Sequence, residues 1–175
     1  MKKIILATAL FILVNAGCKT STPNIQSNTL DVTFEAKSES TVSGEGTFSE
    51  KKGLVTFTAS FKGLKPGIHA IHIHEKADCS TADASSAGGH WNPTFNKHGK
   101  LGVGKVHKGD IGNFKTDDLG NGTVSITTSE WCIGCGDTTK DVLGKSLIVH
   151  QGPDDYVTQP SGNSGARVAC SAIIR

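Results

Sequence analysis

The sequence predicts an all-β domain, an antiparallel sandwich or barrel, and three observations carry that expectation. Apolar and polar residues alternate with period two in several segments of strand length. Glycine is abundant, at 21 residues, and turn-forming clusters punctuate those segments. No apolar pattern of helical period runs long enough to compete.

The first residues stand apart from that domain. Met1-Lys2-Lys3 is basic, and Ile4 to Val14 is an apolar run too short for a mature membrane span but of the length of a signal-peptide core. Asn15-Ala16-Gly17-Cys18 then sets small residues before a cysteine and resembles a bacterial lipobox, with Asn15 where that pattern prefers Leu. Residues 1–17 are expected to be a lipoprotein-type signal peptide, with Cys18 the lipidated new N-terminus. Ordinary cleavage with Cys18 left as a free thiol is the alternative. Lys19 to Asn28 is polar with a single Pro, so residues 18–28 read as a lipidated cysteine and flexible tether, and residues 29–175 as the domain. The expected location is a periplasm, with attachment to the membrane through the lipid.

Within the domain, Leu30, Val32, Phe34 and Ala36 alternate with polar residues and predict the first strand. A polar, Gly-containing second strand is expected over Thr41 to Ser49. Val55, Phe57, Ala59 and Phe61 mark a third, and Gly63 to Gly67 form a turn before a strand from Ile68 to His74. Late strands are expected from Gly122 to Thr128, Lys145 to His150 and Ala166 to Ile174. Between His74 and about Val106 no period is visible over about thirty residues, far beyond the usual connection of about 4–6. A loop that long needs a reason to be ordered.

Charge and cysteine content narrow the function. The chain has 18 Lys and Arg against 16 Asp and Glu, and loss of Lys2 and Lys3 with the signal brings the mature chain to balance. That argues against a nucleic-acid partner, and an anionic ligand would have to be drawn by a local patch. Of the five cysteines, Cys18 is assigned to lipid, leaving Cys79, Cys132, Cys135 and Cys170 with three possible pairings. Cys132 and Cys135 are close enough to pair locally, which would leave Cys79 and Cys170 as a long-range staple. Trp131-Cys132-Ile133-Gly134-Cys135 shares W-C-x-x-C with thioredoxin-type redox sites. That chemistry needs the first cysteine at a helix N-terminus, and Gly136-Asp137-Thr138-Thr139 shows no helical period. A structural disulfide is the expectation, and no second CxxC exists to make a zinc ribbon.

The seven histidines carry the strongest chemical pattern. On the strand ending at His74, His72 and His74 share one face, while His69, Ile71 and Ile73 share the other. On the strand ending at His150, Leu147 and Val149 face one side and His150 the other. His90 and His98 lie in the unperiodic stretch, with His107 and Asp110 just after it, so metal coordination could order that loop. His69, on the core face, reads as a satisfied buried histidine.

Gly67-Ile68-His69-Ala70-Ile71-His72-Ile73-His74-Glu75 resembles the GxHxxHxHE signature of copper,zinc superoxide dismutases. Gly89-His90-Trp91-Asn92-Pro93 is similar to that family's GPHFNP segment, with Trp91 in place of Phe. His98-Gly99, His107-Lys108-Gly109-Asp110, His150 and Gly165-Ala166-Arg167-Val168-Ala169-Cys170 follow in register. The resemblance spans about residues 30 to 175 and implies an eight-stranded Greek-key sandwich or barrel with long metal-binding and disulfide loops. It implies copper on His72, His74, His90 and His150, and zinc on His90, His98, His107 and Asp110, with His90 bridging both. Asp154 would orient one ligand of each metal, and Arg167 would hold the superoxide substrate. A homodimer is compatible with the family. A copper-delivery protein is less in keeping with the ligands, since a carrier benefits from soft thiolate or thioether donors for Cu(I), the only Met is Met1 and the mature cysteines are expected to be paired. A silent homologue would be expected to lack a ligand, and none is missing.

Overall fold

The computed structural model describes residues 28–175, so the expected signal peptide, Cys18 and most of the tether lie outside the described residues. Eight strands form: β1 Asn28–Ala36, β2 Ser43–Lys51, β3 Leu54–Lys62, β4 Gly67–His74, β5 Gly112–Thr116, β6 Gly122–Thr128, β7 Lys145–His150 and β8 Arg167–Ile173. They close an antiparallel barrel in the order β1-β2-β3-β6-β5-β4-β7-β8. The β3–β4 and β6–β7 connections therefore cross from one part of the barrel to another, the Greek-key pattern.

The alternating residues behave as their period requires. Val32, Phe34, Phe57, Phe61, Ile71, Ile73, Leu147 and Val149 join one buried core inside the barrel. Phe34 meets Phe61 edge-on at 4.9 Å and Phe61 stacks on Phe114 at 5.1 Å. Ile148, of opposite parity, belongs to a separate buried cluster with Ala84, Ala87 and Cys170. That second cluster lies under the loop containing the only helical turn among the described residues, Ser85–Ala87.

Several boundaries differ from the sequence expectation, β4 by one residue at its start and β8 by one at each end. The sequence does not predict strand β5, because a five-residue segment whose only large apolar residue is Phe114 shows no period. Its order comes from pairing with β4, with His69 opposite Phe114 and Ile71 opposite Gly112. The irregular stretch accordingly runs to Ile111 instead of about Val106. Strand β2 sits two residues later than expected, since its polar, Gly-rich pattern is weak and its place is set by pairing with β1 and β3. Strand β1 begins at Asn28, the last residue of the expected tether.

Cys79 bonds Cys170 and Cys132 bonds Cys135. The first closes a separation of 91 residues and the second only 3. In the loop-entropy account that corresponds to about 4–5 kcal/mol against roughly 2 kcal/mol. The long bridge is the staple of the fold; the short one adds less.

Candidate metal centre

His72 and His74 leave the same outer face of β4, opposite Ile148 and Ser146 of β7. A bulge between Val149 and His150 adjusts the end of β7, where His150 pairs with Arg167 of β8. His90 reaches the strands through a bridge to His74. It is held there because Trp91 N donates to Ile73 O at 2.8 Å and Ile73 N donates to Gly109 O at 2.9 Å. Gly109 must be glycine: a Cβ there would lie 2.1 Å from Ile73 O. This close lacing brings the His107–Asp110 segment against the same face of β4.

Two clusters result, His72, His74, His90 and His150 in one and His90, His98, His107 and Asp110 in the other, with His90 in both. In each, one ligand atom per residue lies within 4.8 Å of the others, and every member is buried. The sequence-derived ligand candidates are therefore brought together without exception. His69 lies outside both clusters, with Nδ1 3.0 Å from His150 O and Nε2 2.8 Å from Lys65 O. Trp91 is buried in the core, with the Lys145 ammonium over its ring.

Hydrogen bonds on the far side of each ring fix which nitrogen faces inward. His72 donates from Nε2 to Asp154 Oδ2 at 2.9 Å, His74 from Nδ1 to Gly88 O at 2.9 Å, and His150 from Nδ1 to Gly165 O at 3.3 Å. The remaining nitrogens, His72 Nδ1, His74 Nε2 and His150 Nε2, are buried without a partner, as is His90 Nε2. Four inward lone pairs with no donor among them are satisfied by a cation, and the all-imidazole set suits copper.

The second cluster makes a different case. The Nδ1 atoms of His90, His98 and His107 lie 2.9, 2.9 and 3.1 Å from the one oxygen Asp110 Oδ1. His98 already uses Nε2 to donate to Asp154 Oδ1 at 2.8 Å, so a neutral His98 turns a lone pair toward a carboxylate. A shared cation resolves that opposition. The N···O separations are near the edge of about 3.3 Å expected of a tetrahedron with zinc–ligand bonds of about 2.0–2.1 Å, and three imidazoles with a carboxylate suit zinc. Asp110 Oδ2 faces away and accepts from Gly99 N at 3.0 Å and His107 N at 3.1 Å.

Electrostatics agree with a ligand role for the rings of the first cluster, whereas His98 must give up a proton to bind a cation. Burial holds His72, His74 and His150 below the ordinary imidazole range, and burial with repulsion from His72 and His98 takes His90 down to about 4 against the pull of Asp110. These rings are neutral, the form that ligates metal. At His98 burial is again the largest single influence and opposes charge, but Asp110 and Asp154 together outweigh it and hold the ring up to about 9. Burial likewise works against ionised Asp110 and Asp154, yet the imidazoles and backbone N–H groups around each keep both well below the carboxylate range.

Beside the clusters a cleft of about 430 Å³ is lined by His74, His90, His107, His150 and Arg167, with Glu75 at its wall. The guanidinium of Arg167 donates to Ala84 O at 2.7 Å and Gly88 O at 2.8 Å. Asp154 touches one ring of each cluster and is itself held by Asn113, whose Oδ1 accepts from Asp154 N at 2.8 Å.

Two residues at the centre carried no sequence signal. Gln159 clasps the His98 backbone, its Oε1 accepting from His98 N at 2.8 Å and its Nε2 donating to His98 O at 3.1 Å. Gly162, at φ +70°, lets its loop pass where a Cβ would stand 1.8 Å from Asp154 Oδ1. Neither is readable without knowing that the two loops meet.

Known proteins resemble this chain in sequence and in fold. Residues 42–173 match the family model described as copper/zinc superoxide dismutase. The chain is 39% identical over 140 residues to "Superoxide dismutase [Cu-Zn] 2" of Aquifex aeolicus, covering 77% of this chain and 81% of that one. It is 40% identical over 134 residues to "Superoxide dismutase [Cu-Zn]" of Caulobacter vibrioides, covering 74% and 77%. The crystal structure of the clock protein EA4 superposes with a TM-score of 0.72 at 28% identity, over 83% of this chain and 94% of that one.

Proposed function

The chain belongs to the copper/zinc superoxide dismutase family, and from that premise we propose that His72, His74, His90 and His150 hold copper while His90, His98, His107 and Asp110 hold zinc. The protein is an oxidoreductase that converts two superoxide anions and two protons to oxygen and hydrogen peroxide. The observation that carries the ligand assignment is the convergence of four partnerless ring nitrogens beside three that share Asp110 Oδ1.

Bound copper supplies the one-electron chemistry, and bound zinc, which has no redox role, supplies fixed charge that orders the loop. The chain's own residues do the rest. Arg167, anchored by two carbonyls, keeps its charge at the cleft and turns its remaining donors toward a small anion. His90 presents Nε2 to one cluster and Nδ1 to the other, and Nε2 is placed to take up a proton and hand it to the reduced product. Asp154 contacts one ring of each cluster and fixes the orientation of His72 and His98.

Superoxide consumption by the protein reconstituted with both metals tests this reading. Turnover far beyond one superoxide per copper is expected; consumption that stops at stoichiometric copper reduction would instead mark a copper carrier.

Export and anchoring belong to the same proposal. The basic start, the apolar run from Ile4 to Val14 and the small residues before Cys18 support a lipoprotein signal. Mass spectrometry of the mature N-terminus is expected to find a diacylglyceryl-modified Cys18, and Cys18→Ser is expected to lose it. An unmodified cysteine at the start of the mature chain would refute the anchor.

A further inference from the structure

The W-C-x-x-C segment takes no part in the centre described above. It lies in the β6–β7 crossing, and its place there does not depend on its disulfide. Trp131 and Ile133 are anchored in the barrel core. Cys132 N donates to Lys140 O at 2.9 Å and Val142 N donates to Cys132 O at 3.1 Å. The Asp141 carboxylate closes the loop a second time, accepting from Gly134 N and Leu143 N on Oδ1 and from Gly136 N on Oδ2, at 2.9 to 3.0 Å. A bond across so short a separation, in a loop already closed twice, is not needed to hold the fold.

Accessibility separates the two bridges by degree. Each has one buried cysteine, Cys132 and Cys170, but its partner is exposed in the short bridge, Cys135, and only half-buried in the long one, Cys79. Asp137 N points at Cys135 Sγ from 3.5 Å, so a negative sulfur there has a backbone donor. The sulfurs of Cys132 and Cys135, here bonded to each other, and a carboxylate oxygen of Asp141 lie within 4.8 Å of one another on a single loop.

We propose that Cys132 and Cys135 are a reducible pair which, once reduced, forms with Asp141 a third metal site for soft or borderline cations of the Cu(I), Zn(II) and Cd(II) type. A small dithiol is the reductant. Its thiolate attacks exposed Cys135 Sγ, the Cys132–Cys135 bond breaks, and Cys132 leaves as a thiolate that takes a proton. The reductant's second thiol then releases Cys135 as a thiol and closes its own disulfide, so two electrons pass to the pair. A divalent cation afterwards displaces the two thiol protons, with thiolates favouring soft metals over Mg(II) or Ca(II). Reduction leaves the neighbouring copper and zinc clusters loaded, because the Trp131 Nε1 donation to Lys108 O, at 2.8 Å, keeps the crossing against the zinc-ligand segment.

The test uses the protein loaded with copper and zinc, treated anaerobically with dithiothreitol and mapped by differential alkylation. Cys132 and Cys135 are expected to label while Cys79–Cys170 stays bonded. Titration with Cd(II) is then expected to raise a thiolate-to-metal charge-transfer band in the ultraviolet and to add one cadmium per chain by native mass spectrometry. The oxidised protein and the Cys132→Ser/Cys135→Ser variant show neither change. Asp141→Asn, which keeps an acceptor oxygen for the loop, binds cadmium roughly ten- to a hundredfold more weakly. The proposal fails if reduced protein with both thiols free takes up no cadmium, or if the double-serine variant binds equally. It fails equally if the long bridge is reduced first, or if reduction releases zinc.

Discussion

The two halves of the metal centre share His90 but are built from different materials. His72, His74 and His150 stand on β4 and β7, whose register is fixed by backbone pairing and by the core beneath them. His98, His107 and Asp110 stand on an irregular connection and converge through side chains, with Asp110, Asp154 and Gln159 as the ties. The strand half is positioned by the barrel. The loop half is positioned by charge, and a cation completes it. Substitutions that weaken the ties should therefore harm zinc binding first and leave the strand ligands in place.

The severest break in that comparison is Asp110→Ala. It strips three ring nitrogens of their shared oxygen and leaves Gly99 N and His107 N without an acceptor. Metal analysis should find zinc lost, and denaturant unfolding should show destabilisation of about 3–5 kcal/mol. Copper should still bind on reconstitution. Unchanged zinc content would refute the ligand assignment.

Next in size is the charge at the cleft. Turnover should fall in the order wild type, Arg167→Lys, Arg167→Ile, Arg167→Glu, at matched copper occupancy. The spread should shrink with salt as the Debye length falls from about 10 Å at 0.1 M to about 3 Å at 1 M. Equal rates for the Lys and Glu variants at low salt would remove Arg167 from substrate guidance. Because Arg167 sits beside the strand half, zinc content should not change across the series.

Smaller still is Gln159→Met, which keeps the side chain's length but removes both bonds to the His98 backbone, at about 1 kcal/mol each. Zinc release to a chelator should quicken by roughly ten- to a hundredfold, while copper release stays at the wild-type rate. Equal acceleration of both metals would mean the two halves are not separately held.

The same division governs what could be read from the sequence. The strand ligands were legible because parity is local: period two puts His72 and His74 on one face and His150 opposite Val149. The loop ligands carried no such rule. In sequence only family resemblance marks His98, His107 and Asp110 as zinc ligands, and three-dimensional convergence is what unites them. Strand β5 escaped because five residues around Phe114 have no period of their own, and their order is borrowed from β4. Gln159 and Gly162 escaped because their importance is a contact between two loops, one clasping His98 and the other leaving room for Asp154.

Hydrogen exchange followed by mass spectrometry, with and without metals, tests the division most directly. Removing both metals should leave amides of β4 and β7 as protected as in the loaded protein, while those between Glu75 and Ile111 and between Gln151 and Ala166 lose protection. Loss of protection in β4 and β7 alongside the loops would contradict the account, showing that the metals hold the barrel as well. So would full protection of the loops without metal.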